Sequence, residues 1–224
     1  MSWTWKRDVF AWGVVVAVLA LVALFGPSLP DQVPSHYDFH GNVDDTMQRS
    51  NFLLMIVGLT VGLYLFLTFI PFIDPIWSRV KARYHALMIL RDITLAFMLV
   101  LLVLTLFSSK EGTIPPSVMG IALGILFALL GNYLPKAPRN WFFGIRTPWT
   151  LMSDTVWQKS HIVGGWLFVI TGVLTALFAF LGVQWGYVLL PGLIISSVVA
   201  GFVYPYLLYR RLTREGSDTQ NSQL

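Results

Sequence analysis

Cysteine is absent from the 224 residues, which excludes a disulfide, a thiolate nucleophile, a cysteine-ligated zinc and S-acylation together. Charge is scarce as well: 12% of residues are Asp, Glu, Lys or Arg, where an ordinary soluble domain carries roughly 25%. No HExxH, no GxSxG and no phosphate-binding glycine loop occurs, so the common metalloprotease, hydrolase and nucleotide-binding signatures are missing. The longest apolar runs carry no Asp, Glu, Lys or His near their centres, which disfavours a proton-coupled pump, a transporter or a channel.

What is present is apolar. Hydrophobic residues make up 56% of the chain and the mean hydropathy is +0.69, the balance of an integral membrane protein. The runs reach the roughly 20 residues a helix needs to cross a hydrocarbon core of about 30 Å. They lack the alternation of barrel strands, so the expected fold is all-α, a polytopic membrane bundle of six transmembrane helices. Spans are expected at Val9 to Gly26, Asn51 to Ile73, Ala86 to Ser108, Ser117 to Leu134, Ser160 to Leu181 and Gly186 to Tyr209. The first follows Lys6 and Arg7 as a secretory signal would, yet it runs into FGPSLPDQ without an A-x-A site, the pattern of an uncleaved anchor.

The net charge of +4 and pI near 9.5 follow from topology rather than from nucleic-acid binding. With both termini cytoplasmic, Lys6, Arg7, Arg79, Lys81, Arg83, Arg91, Lys136, Arg139, Arg146, Lys159, Arg210, Arg211 and Arg214 lie inside. Of the 15 basic residues only Arg49 and Lys110 then lie outside, which is the positive-inside distribution. Arg91 and Asp92 fall just within the third span and read as a boundary pair, or as a buried pair that orients the helix. Gly58 with Gly62, and Gly120 with Gly124, offer small-residue faces for close helix contact, inside the bundle or across a dimer seam. The tail from 215 to 224 is polar and aperiodic and is expected to be disordered.

Two polar segments interrupt the spans. The outer one, 27–50, holds three prolines within its first half, which forbid a long helix. His36, Asp38 and His40 would share one face of an extended stretch ending in a turn at Gly41 and Asn42. Two imidazoles and a carboxylate on one face can hold a divalent metal, with Asp44 or Asp45 as a further ligand; a solvated polar loop is the simpler reading. The inner one, 135–159, packs Trp141, Phe142, Phe143 and Trp149 among Arg139 and Arg146, residues suited to membrane lipids, their phosphates or a partner's carboxylates. Ser153 and Asp154 fit the capped start of the fifth span, and Trp157 and His161, four apart, share a face of it. His161 is either a proton-sensitive group or a boundary histidine bonded to a neighbour.

At two motifs the chain resembles the SdpI family of bacterial membrane immunity proteins. LPDQVPSHYDFHGNVDD, with Pro34, His36, Asp38, Gly41 and Asp45 in the matching positions, is similar to the DUF1648-type membrane domain that accompanies that family. The stretch from Gly131 to Gly165 resembles the family's carboxy-terminal signature. Its matching positions are Gly131, Asn132, Pro135, Lys136, Asn140, Gly144, Arg146, Thr147, Pro148, Trp149, Thr150, Trp157, Lys159, His161 and Gly165, with Ser160 where Thr is commoner. His40 lies outside the family pattern, which weakens the metal set.

The resemblance implies a two-span region over 1–73 with its outer loop at 27–50, then a four-span region over 74–214 with its inner loop at 135–159. It also implies a multi-pass protein of the bacterial plasma membrane, without catalytic residues or a cofactor, that confers resistance to a membrane-active toxin peptide. In the family's named member it further implies signalling, in which a small ArsR-type autorepressor is held at the membrane. The competing reading is a membrane enzyme, metal-dependent and acting on lipid or peptide, centred on the outer His and Asp residues.

Overall fold

Each long apolar run forms the helix its hydropathy requires. The computed structural model describes residues 8–38, 42–75, 84–111 and 114–221, and within them lie six helices long and apolar enough to cross a membrane. In chain order these are α1 (Val9–Phe25), α2 (Arg49–Ile73), α3 (Tyr84–Glu111), α4 (Pro116–Tyr133), α6 (Asp154–Phe180) and α7 (Gly186–Val198), the last continued by a π turn (Val199–Val203) into α8 (Tyr204–Asn221). A short α5 (Pro148–Met152) lies in the inner loop. Helical order thus extends past Arg214 to Asn221, where sequence composition led to an expectation of disorder.

The outer segment is more regular than its prolines imply. β1 (Gln32–Tyr37) pairs antiparallel with β2 (Val43–Gln48), Val33 opposite Met47 and Tyr37 opposite Val43. A two-stranded ribbon is marginal alone. Here Val33, fully buried, enters a cluster with Val18, Leu29, Phe52, Ile56 and Leu102, so the ribbon rests on the outer ends of α1, α2 and α3. Arg49, the first residue of α2, donates to the Leu29 carbonyl at 2.8 Å and pairs with Asp31 at 3.2 Å, holding the chain leading into β1. At the ribbon's far end the Tyr37 hydroxyl is hydrogen-bonded to Ser108 of α3.

The first three helices are joined at their inner ends by charge. Arg91 of α3 and Asp8, the residue before α1, are each 1% exposed. Arg91 Nη1 lies 2.7 Å from Asp8 and donates to Thr68 of α2 at 2.9 Å, while Nε donates to Asp92 at 2.9 Å. The boundary reading of Arg91 is therefore replaced by a buried one, a single guanidinium tying three helices together. Its face also lies 5.6 Å from the Tyr64 ring centroid, a cation–π contact.

α4 and α6 meet differently. A Cβ on Gly124 would lie 2.6 Å from the Gly172 carbonyl oxygen, and one on Gly131 2.6 Å from that of Gly165. Only hydrogen fits at those positions, so the two backbones come into direct contact. Gly58 and Gly62 behave otherwise: both are exposed and a Cβ at either meets nothing within 4 Å, so among the described residues this stripe makes no close contact inside the bundle.

Candidate functional site

The inner loop, 134–153, is fixed by side chains bonding to its own backbone. α4 ends in a 3-10 turn at Leu134–Lys136, and the buried Asn140 then organises the bend that follows. Its Nδ2 donates to the carbonyls of Pro138 (2.8 Å) and Phe143 (3.0 Å). Its Oδ1 accepts from the N–H groups of Phe142 (2.9 Å) and Phe143 (2.6 Å), so both ends of the amide are used. Arg139 donates to the Leu151 carbonyl and pairs with Asp154 at 2.6 Å; Arg146 donates to the Trp141 carbonyl. These two arginines, expected to face lipid phosphate or a partner, spend guanidinium N–H groups inside the loop.

His161 lies beneath it with no exposed surface. Its ring stacks on Trp157 with centroids 4.1 Å apart. Nε2 accepts from the Ile145 N–H at 3.0 Å, so the neutral tautomer carries its proton on Nδ1, which donates to the Trp157 carbonyl at 2.8 Å. The loop can approach this closely because Gly144 has φ +99° and no Cβ; a methyl there would run into Nε2. Trp157 Nε1 in turn donates to the Ala137 carbonyl at 3.1 Å, closing the other side of the loop.

Thr147 caps α5, with the reciprocal Thr147 and Thr150 bonds of a capping box, and Thr150 also donates to the Ile145 carbonyl at 2.8 Å. Pro148 occupies the first turn, where its missing N–H is harmless. Trp149 packs edge-on against Tyr206 of α8, 5.3 Å between centroids. Ser153 accepts from the Val156 N–H at 3.3 Å and starts α6. Asn140, Gly144, Arg146, Thr147, Pro148, Trp149, Thr150, Trp157 and His161 thus form one folded loop with its supports. Asn132 and Lys159 are exposed on the flanking helices.

This loop meets the first three helices at Asp74, at the end of α2, which accepts from the Trp141 N–H at 2.8 Å, and at an apolar cluster in which Ala137 and Phe143 pack with Leu87 and Leu90 of α3. In the sequence Asp8 and Asp74 read alike as residues at span ends, because neither has a local pattern naming its distant partner.

On the opposite end, Pro34 is buried in β1, and His36 Nδ1 lies 2.6 Å from Asp44, both side chains exposed. The Asp38 carboxylate accepts from the Asn42 backbone N–H (2.9 Å) and from Asn42 Nδ2 (3.2 Å), closing the turn, and Asp45 accepts from Thr46 N–H at 2.8 Å. His40 and Gly41 lie outside the described residues, and with His40 the proposed three-ligand set. Among the described residues no group of three His, Asp or Glu is placed to hold a metal. Burial pushes the Tyr37 phenol above its usual range, opposed by its bond to Ser108.

Comparison with known proteins adds to this geometry. Residues 136–205, which begin in the inner loop and reach into α8, match the model of the SdpI/YfhL protein family. Residues 13–61, which include the outer ribbon, match the domain of unknown function DUF1648. The chain is 25% identical over 186 residues to "Immunity protein SdpI" of Bacillus subtilis (strain 168), covering 82% of this chain and 86% of that protein. No solved structure matches. With six membrane-length helices and this likeness, the chain is a multi-pass protein of the bacterial plasma membrane.

Proposed function

We propose that this chain, which carries an SdpI/YfhL segment behind a DUF1648 segment, is a membrane immunity protein that protects its cell from a membrane-active toxin peptide. The observation that carries the reading is the likeness to an immunity protein along 82% of the chain, beside family matches that cover the outer ribbon and begin in the inner loop. Expression in a toxin-sensitive bacterium tests it: survival on challenge is the expected result, and unchanged killing by membrane-active peptide toxins overturns it.

The finer reading is that the protein also senses the toxin, holding a small ArsR-type repressor at its inner loop when the outer ribbon is occupied. Both termini and the 135–159 loop are then cytoplasmic, as the distribution of lysine and arginine supports. In this reading the 27–50 segment, with Pro34, His36, Asp38, Gly41 and Asp45, meets the toxin, and the exposed Arg146 with Trp149 belongs to the surface that meets the partner. The 25-residue α2 supports such coupling, because its first residue grips the chain before the ribbon and the residue after its last grips the inner loop. The toxin must bind one of two states more tightly, since equal affinity shifts nothing. Purification from membranes with and without toxin tests this finer reading. Toxin-dependent capture of a repressor, lost in Arg146→Ala or Trp149→Ala, is expected; capture unaffected by toxin or by both substitutions removes it.

We read the protein as non-catalytic. Both ring nitrogens of His161 are engaged by backbone groups, and the exposed His36 and Asp44 pair with each other.

A further inference from the structure

A groove of about 230 Å³ opens beside the chain that leads into the outer ribbon, between the outer ends of α1 and α3. Leu21 and Phe25 line it from α1, Val103, Leu106 and Phe107 from α3, and Pro30 from the chain leading into β1. Phe25 and Phe107 are 44% and 65% exposed, so the groove has accessible aromatic walls. Directly after Pro30 comes Asp31, its side chain 90% exposed. The ribbon adds Asp38, Asp44 and Asp45, so the segment from 29 to 50 carries four carboxylates against one guanidinium, Arg49.

We infer that this end of the molecule docks a cationic amphipathic peptide, its apolar residues seated in the groove between α1 and α3 and its basic residues against the ribbon's carboxylates. The inference rests on the immunity reading above and names the chemistry of the peptide that reading requires. Complementary charge is what selects the occupant. A phospholipid chain would fill the same apolar space, but its phosphate would meet a segment in which four carboxylates stand against one guanidinium, like charge against like. A lysine- or arginine-bearing peptide gains from the same field, and a field at the membrane surface also raises its local concentration. Ser28 and Ser109, at the rim of the groove, offer hydroxyls where an apolar helix would turn polar.

The test uses the full chain in phosphatidylcholine nanodiscs. The probe is a fluorescein-labelled synthetic Lys/Leu amphipathic peptide of about 18 residues, enough for about five helical turns. A counterpart with Glu in place of Lys is the control. Fluorescence anisotropy is expected to show binding of the Lys peptide above that of empty discs, weakened by added salt, and none of the Glu peptide. The substitutions Asp31→Asn, Asp44→Asn and Asp45→Asn, at exposed positions, combined, should weaken binding about tenfold, and Val103→Trp, which fills the groove, by a similar factor. Leu177→Trp, on an exposed face of α6, should bind as the unaltered chain does.

Binding no better than to empty discs, equal binding of the Glu peptide, or insensitivity to the Asp→Asn set overturns the proposal. So does a Val103→Trp protein that melts and elutes normally yet binds unchanged, or a retained phospholipid that the peptide cannot displace. If Val103→Trp fails to fold, a benzophenone on the peptide's apolar face decides instead: cross-links to 21–25 or 103–107 support the groove, and cross-links elsewhere refute it. A chain that binds the peptide but leaves sensitive cells unprotected removes the immunity reading alone; protection without peptide binding removes only the groove.

Discussion

The bundle is held together in two ways. α4 and α6 meet through Gly124, Gly131, Gly165 and Gly172, backbone against backbone. α1, α2 and α3 meet through aliphatic clusters and one buried ion group, Arg91 with Asp8, Asp92 and Thr68. Lipid removes the hydrophobic drive that brings helices together in water, leaving close packing and polar contacts to do so. The first solution is tight and continues into the loop closed over His161. The second combines apolar clusters, one of which underlies the ribbon on which a ligand is proposed to act, with a charge group at the opposite end. One half is a frame of backbone contact, and the other joins apolar packing to a small number of polar bonds.

The largest effect should come from breaking the frame. Gly124→Leu drives a side chain into the Gly172 carbonyl and should cost about 3 kcal/mol or more, leaving little folded protein in the membrane. Gly58→Leu, facing open space, should be tolerated; thermal unfolding in detergent compares the two, and equal loss would erase the distinction between the stripes.

An effect of similar size is expected at the ion group. Arg91→Leu leaves Asp8 buried and Asp92 half-buried without their cation and should cost about 3 kcal/mol. Adding Asp8→Asn and Asp92→Asn should restore much of that loss. Stability unchanged in the single variant would mean that the three helices are held by their aliphatic contacts alone.

A smaller effect is expected where the loop meets the frame. His161→Phe keeps a ring against Trp157 but leaves the Ile145 N–H without its acceptor, for about 1 to 3 kcal/mol. Limited proteolysis within 141–147 should quicken, and an unchanged digest would show that the loop holds without the imidazole.

The smallest is at the ribbon. Tyr37→Phe removes one hydrogen bond, about 0.5 to 1.5 kcal/mol. The Tyr37 phenol is raised by burial, so its contribution is fully present below the ordinary tyrosine value of about 10 and is lost as pH rises through the higher folded-state value. Proteolysis of the ribbon should therefore quicken at strongly alkaline pH in the unaltered chain; a rate flat with pH would show the phenol to be uncoupled from the ribbon.

The spans were legible because length and hydropathy alone define a membrane helix, and the start at Ser153 follows capping chemistry, whereas the short helix capped by Thr147 lay hidden in a stretch that reads as turns. β2 was not, because VDDTMQ has no alternation and pairs only because Val33 of β1 anchors its partner strand. Gly58 and Gly62 read the same in sequence as Gly120 and Gly124; only the packed face of each helix separates them. Arg139 and Arg146 announced charge, but their partners, Asp154, Leu151 and Trp141, are assigned by the fold of the loop. Asp8 and Arg91 stand 83 positions apart, a pairing no local pattern contains.

Signalling between the two ends requires the ribbon and the inner loop to occupy opposite sides of one membrane, joined by α2. The absence of cysteine makes single-site labelling direct: Thr46→Cys and Met152→Cys, both at exposed positions, are expressed separately and treated with a membrane-impermeant maleimide. Labelling at 46 in intact cells, with 152 reacting only after the membrane is opened, is the predicted result. Labelling of both in intact cells would contradict it.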